Sequence, residues 1–159
     1  MGNIQDFSNF LTLKLKMLRL IIFLRPFARY LLISWFLTII IVSSIPSLPT
    51  LKIHTSRSEI RLDYLIHFCE YAILAGMAFL TFAGKEFRLD YRKFMIITTL
   101  LIFFAILDEY HQKLIPGRAF NLKDIYSNIA GVVAALVFCI IIFRKIAEKK
   151  EKPILGSDL

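Results

Sequence analysis

Hydrophobic residues along this chain are gathered into four long blocks, and polar residues interrupt the blocks at recurring intervals. The first block runs from about Ala28 to Ile45, holds Trp35 and a dense Ile/Val patch, and stops at Pro46 and Pro49. The second runs from about Leu62 to Phe82 and ends near Gly84-Lys85. The third opens near Phe94, but its stretch to Leu107 has only 14 residues, short of the ~20 that cross a bilayer. That helix must therefore continue through Asp108-Glu109-Tyr110-His111-Gln112 to about Ile115, with Pro116-Gly117 as a turn signal. The fourth covers about Asp124–Phe143, with Asp124 near its N-terminus, where a carboxylate suits the helix dipole. The pattern predicts an all-α fold, a polytopic membrane four-helix bundle.

The flanks divide the chain further. Residues 1–27 mix Lys14, Lys16, Arg19 and Arg25 with Leu, Ile and Phe. The run Leu20–Leu24 is too short to span, and Arg25-Pro26 is expected to end it. This predicts an interfacial amphipathic helix over about residues 7–26, on the cytoplasmic surface. No small-residue cleavage site follows a long enough apolar core, so a removed signal peptide is not expected. Residues 28–143 form the membrane domain, and 144–159 read as a charged, lysine-rich cytoplasmic tail with little order.

Composition agrees with this class. Of 159 residues, 57% are hydrophobic, and the mean hydropathy is +0.65. The net charge of +8 would raise nucleic acid as a partner for a soluble domain. Here the basic residues flank apolar segments, and orientation and anionic lipid account for them more simply, so no nucleic-acid partner is expected. Lys and Arg number five in residues 1–29 (Arg29 included), four in the 84–93 loop and five in the tail, against three in each of the 46–62 and 113–123 loops. The positive-inside rule then places both termini in the cytoplasm and the polar 46–62 loop outside. Cys69 and Cys139 lie toward opposite ends of their spans, too far apart in depth for a disulfide.

The interruptions carry the chemistry. Ionisable groups at membrane depth are costly and by default mark a site. At about 100° per residue, Asp63, His67, Glu70 and Tyr71 share one stripe of the second helix. Asp108 and Gln112 stack at i, i+4, and Asp124, Asn128, Gly131 and Ala135 share another stripe, polar at its outer end and small below. All these polar groups fall at one end of the bundle. Asp63 and His67 can pair as carboxylate and imidazole, a proton-accepting unit, or can form a buried bond locking the second helix to the third. Asp108 and Glu109 are adjacent and diverge, so one serves the site while the other bonds a neighbouring helix. Arg118, after the Pro-Gly turn, suits a phosphate or carboxylate, or else a salt bridge to Asp108, Glu109 or Asp124. His67, Glu70, Asp108 and His111 can also be read as metal ligands, but their spacings match no zinc or di-iron signature, so no metal and no cofactor is assigned. The tyrosines Tyr64, Tyr110 and Tyr126 form an interfacial belt, whereas Tyr71 points inward. No nucleophile elbow and no Gly-rich phosphate loop is present.

Two blocks resemble the VanZ-like family of small bacterial integral membrane proteins: Asp63-x3-His67-Phe68-x-Glu70-Tyr71, and Asp108-Glu109-x2-Gln112-x3-Pro116-Gly117-Arg118 continuing to Asp124, Asn128 and Gly131. The resemblance spans about residues 30–143 and leaves out the N-terminal amphipathic segment. It implies a bacterial inner-membrane location and a site at these residues, but no particular reaction. The family takes its name from a protein associated with resistance to teicoplanin-type glycopeptides. On this reading the pocket faces outward and binds, with or without modifying, an anionic lipid or a polyprenyl-phosphate-linked envelope precursor. Arg118 holds the anion, Asp63, His67, Asp108 and Glu109 supply acid–base chemistry, and Glu70, Tyr71, Gln112, Asp124 and Asn128 bind or orient the ligand. A non-catalytic factor altering glycopeptide susceptibility and a small transporter are the alternatives. Neither an enzymatic reaction nor an oligomeric state is decided by the residues.

Overall fold

The computed structural model describes residues 12, 16, 19–47, 52–55, 58–84 and 89–151, with backbone alone at 52–55, 58–61 and 145–151. Four helices carry the fold: α1 (Ala28–Ser43), α2 (Asp63–Phe82), α3 (Tyr91–Gln112) and α4 (Leu122–Glu151). A short antiparallel hairpin, β1 (Lys52–Thr55) and β2 (Ser58–Arg61), lies between α1 and α2 where a polar loop is expected from sequence. Ile53 stands opposite Ile60 in its register, and β-branched residues at these positions favour pairing.

Four helical stretches are long and apolar enough to cross a membrane: Arg19–Ser43, Asp63–Phe82, Tyr91–Gln112 and Leu122–Arg144. Large apolar side chains, among them Phe23, Ile41, Leu100, Phe103 and Phe138, stand exposed on their outer faces. Lipid accepts such faces. The fold is an all-helical, multi-pass membrane bundle, as the hydropathy pattern predicts.

Three boundaries differ from the sequence expectation. First, Arg25-Pro26 does not end the N-terminal helix. The chain tightens into a 3-10 turn at Arg25–Phe27 and runs on, so the helical stretch begins at Arg19. The Arg25 guanidinium explains the continuity: it donates to the carbonyls of Ala83 (2.9 Å) and Gly84, where α2 ends and carbonyls lack intrahelical partners. Most of the predicted amphipathic helix over 7–26 lies outside the described residues. Second, α3 starts at Tyr91 because the Asp90 side chain caps it, accepting from the Lys93 N–H at 2.9 Å. It ends at Gln112, three residues before Ile115, and single turns follow, with Leu114 N–H bonded to His111 and Ile115 N–H to Gln112. Third, residues 144–151 are helical, a correction to the expected disordered tail. Arg144-Lys-Ile-Ala-Glu-Lys-Lys-Glu151 consists of good helix formers without Gly or Pro, and basic residues suit a helix C-terminus. Residues 152–159 lie outside the described residues.

α2 and α4 form the most closely packed pair. A Cβ built on Gly131 of α4 would collide with the Phe68 carbonyl oxygen of α2 and lie 3.1 Å from Ala72 N. Only glycine permits this approach. Below it the core is apolar, through Leu74, Ala75, Val132 and Leu136, and finishes on the stacked Phe79–Phe143 pair at 5.4 Å.

Candidate functional site

Among the described residues, every buried polar side chain lies at one end of the bundle: Ser43, Asp108, Glu109, Gln112, Asp124 and Asn128. α1 delivers Ser43, α3 delivers Asp108 to Gln112, and α4 delivers Asp124 and Asn128. His67 and Tyr71 of α2 complete the set. The helical stripes thus turn inward as their periodicity predicts, with Tyr71 and Asn128 fully buried. Tyr110 and Tyr126 are exposed, as a belt requires.

Because Asp108 and Glu109 are adjacent on a helix, their carboxylates leave it about 100° apart. They divide the polar end in two. On the α1 side, Asp108 Oδ2 accepts from the Tyr71 hydroxyl (3.1 Å) and from Gln112 Nε2 (3.3 Å). Gln112 Nε2 also reaches Ser43 Oγ at 3.5 Å, and its Oε1 accepts from Arg118 Nη1 at 3.4 Å. Arg118 then donates through Nη2 to Val42 O (2.9 Å) and through Nε to Ile45 O (3.3 Å). These carbonyls lie in the last turn of α1 and at its exit, the Val42 oxygen also accepting from Ile45 N–H at 3.2 Å, so Arg118 fastens the end of α1 to the turn after α3. Neither sequence reading of Arg118 included this. It makes no salt bridge with Asp108, Glu109 or Asp124. Three of the five guanidinium N–H groups are engaged.

The Pro116-Gly117 turn fits the same contact. Gly117 has φ +77°, and a Cβ there would run into Ser47 Oγ. Ser47 N–H in turn bonds to the Pro116 carbonyl at 3.2 Å. The loop leaving α1 therefore rests on the turn leaving α3.

On the α2–α4 side, Glu109 Oε1 accepts from the backbone N–H of Asn121 at 2.7 Å. His67 lies between two carboxylates, with Nδ1 3.9 Å from Glu70 Oε2 and Nε2 3.8 Å from Asp124 Oδ2. One ligating atom from each of His67, Glu109 and Asp124 lies within 4.8 Å of the others. The expected Asp63–His67 pair is not formed. Asp63 is half-buried at the start of α2, and the imidazole turns toward Glu70 and Asp124 because the close α2–α4 approach sets it against α4. Of the four residues read from sequence as possible metal ligands, only His67 enters this cluster, and Asp108 belongs to the α1 side.

Sequence reasoning missed Ser43, Asn121 and the role of Arg118. Asn121 was open to discovery: it is the N-cap of α4, its Oδ1 accepting from Lys123 N–H at 3.1 Å, and Asn before an apolar run is a helix-start signal. Ser43 carries no such signal.

An apolar groove of ≈ 260 Å³ opens beneath the α1 side of the polar end. Phe36 of α1, Leu74 and Ala78 of α2, and Leu101 and Phe104 of α3 line it. Phe104 packs on Phe36 (4.4 Å between centroids) and on Tyr71 (5.8 Å), whose hydroxyl meets Asp108. The groove therefore adjoins the polar network across the Tyr71 ring, which is fully buried and does not line it.

The fold and site define a class: a multi-pass helical membrane protein whose buried polar groups converge at one end. Within that class the chain belongs to the VanZ/LLP1 family, whose model matches residues 3–144. The match begins well before residue 30 and takes in the N-terminal segment that the two motif blocks left out. No curated protein and no solved structure matches the chain.

Proposed function

We propose that this protein binds an anionic amphiphile, a phospholipid or a polyprenyl-phosphate-linked envelope precursor. The observation that carries the reading is an apolar groove whose Phe104 wall packs on Tyr71, the residue that donates to Asp108 of the polar network. An acyl or prenyl chain would lie along Phe36, Leu101 and Phe104. Its head would meet Arg118, which keeps two of its five N–H donors for a ligand after holding Val42, Ile45 and Gln112. Gln112 and Tyr71, on the same side of α3 as Arg118, would orient the head. The polar end faces outward from a bacterial inner membrane, with both termini in the cytoplasm, on the strength of the Lys/Arg distribution. The apolar core from Leu74 to the Phe79–Phe143 stack favours binding over conduction, since a transport path would need polar groups there.

The test is native mass spectrometry of the protein released in its own lipid. An anionic amphiphile should be enriched over bulk lipid. Leu100→Trp, which fills the groove from its exposed rim, should remove it, while Leu107→Trp on the same helix should not. No enrichment in the wild type overturns the proposal. For orientation, a cysteine replacing His54 should react with an impermeant thiol reagent in intact cells, and protection there reverses it.

A further inference from the structure

We infer that His67, Glu109 and Asp124 form a binding site for a divalent transition-metal ion of the zinc or manganese class. α2, α3 and α4 each contribute one ligand, and the ligand atoms lie within 4.8 Å of one another. Ligands around one tetrahedral ion at roughly 2.0–2.2 Å are about 3.4 Å apart. His67 Nε2 and Asp124 Oδ2, at 3.8 Å, are already near that spacing. Small side-chain rotations close the rest.

Observations beyond the cluster point to a ligand. Glu109 is fully buried, with one oxygen fixed by Asn121 N–H and the other, Oε2, without a hydrogen-bond partner among the described residues. Asn128 is also fully buried, and neither Nδ2 nor Oδ1 has a partner among them. It lies one helical turn from Asp124 on the same face of α4. Buried polar groups left in this state are costly unless something else satisfies them. No lysine or arginine pairs with the buried Glu109 among the described residues, and a dication would offset its carboxylate.

The imidazole is oriented for the task. Nε2 faces Asp124 at 3.8 Å and Nδ1 faces Glu70 at 3.9 Å, and a small approach of Glu70 would complete the carboxylate–histidine–metal arrangement in which an outer carboxylate fixes the ring. Glu70 is thus a positioning residue. One nitrogen and two carboxylate donors suit zinc or manganese; calcium takes six to eight oxygens, and soft copper(I) needs sulfur, which is absent from the cluster. Three protein ligands leave a coordination position for water or a ligand oxygen, the form of a catalytic site. The inference does not depend on amphiphile binding.

Tag-free protein purified without chelator should retain one ion per chain by inductively coupled plasma mass spectrometry. After EDTA treatment it should rebind Zn2+ or Mn2+ in calorimetry, and Co2+ should give visible d–d bands. His67→Ala and the near-isosteric Glu109→Gln should abolish both signals. Glu70→Gln should weaken affinity about 10–100-fold. His54→Ala and His111→Ala, at the chain's other two histidines, should leave both signals intact. A wild type that binds no stoichiometric ion, or whose binding survives Glu109→Gln, overturns the site and leaves a protonated carboxyl network. If His67→Ala fails to fold, wild-type stoichiometry and Glu109→Gln decide the matter.

Discussion

Replacing Gly131 with alanine tests the contact on which the α2–α4 half of the site depends. The added methyl would meet the Phe68 carbonyl oxygen well inside van der Waals contact, with Phe68 C and Ala72 N both at 3.1 Å. Backbone atoms cannot swing aside as a side chain can, so the helices must part by roughly 1 Å to restore ordinary separations of about 3.5–4.0 Å. Overpacking of this kind costs about 1–3 kcal/mol. Alanine also gains about 0.5–1 kcal/mol over glycine inside a helix. Gly76 of α2 supplies the control, because a Cβ there meets nothing within 4 Å. The propensity gain is common to both variants, so Gly131→Ala should be about 1–3 kcal/mol less stable than Gly76→Ala. Reversible unfolding in mixed detergent–SDS micelles, followed by far-ultraviolet circular dichroism, measures the difference. The same variant should loosen the cluster, since His67 adjoins Phe68 and Asp124 lies two turns from Gly131. If the two alanine variants unfold alike, the close approach is wrong and with it the account of why His67 faces α4.

Three further outcomes follow from the α1 side. Tyr71→Phe removes one of the two donors to Asp108 Oδ2 in a buried site and should cost about 1–3 kcal/mol in the same unfolding measurement. Gly117→Ala meets both a φ of +77° and Ser47; the left-handed backbone alone costs roughly 1–2 kcal/mol, and limited proteolysis should show the 44–47 loop released from the turn. Arg118→Lys keeps the charge but cannot reach Val42, Ile45 and Gln112 together. Losing charge-assisted bonds worth about 1.5–3 kcal/mol each, it should expose the end of α1 to faster amide hydrogen exchange.

Block hydropathy made the four spans legible, and the stripes told which faces turn inward. Partner choice was less accessible. Periodicity puts Asp63, His67 and Glu70 on one face but does not say which helix comes close, and Gly131, read only as a small residue, decides it. Arg118 had carboxylates nearby in sequence, yet two of its three acceptors are backbone carbonyls, which every residue carries and no motif announces. The Arg25-Pro26 stop failed for a related reason: the carbonyls of Ala83 and Gly84 that hold Arg25 lie 58 and 59 residues away. The tail failed on a local rule, since a lysine-rich run without Gly or Pro is as good a helix as it is a coil.

The adjacency of Asp108 and Glu109 gives the site its logic. Two carboxylates about 100° apart on one helix cannot face one chamber, so α3 stands as a partition between two. On the α1 side no buried polar atom lacks a partner among the described residues, and, apart from the Gln112–Asp108 bond within α3, the bonds close one element on another: Tyr71 of α2, Gln112 of α3, Arg118 of the turn and the end of α1. A network satisfied in this way rigidifies. On the α2–α4 side Glu109 Oε2, His67 Nδ1 and both amide atoms of Asn128 are buried without hydrogen-bond partners among the described residues. Each such group costs about 1–3 kcal/mol. One helix therefore carries both a finished polar network and an unfinished one, at the same depth and one residue apart. The finished network does the work of holding α1, α2 and α3 in place. The unfinished one has capacity that folding does not use, and a ligand's polar atoms or an ion can use it. The satisfied and the unsatisfied networks thus lie on opposite faces of α3, and substitutions on the two faces should separate stability from binding.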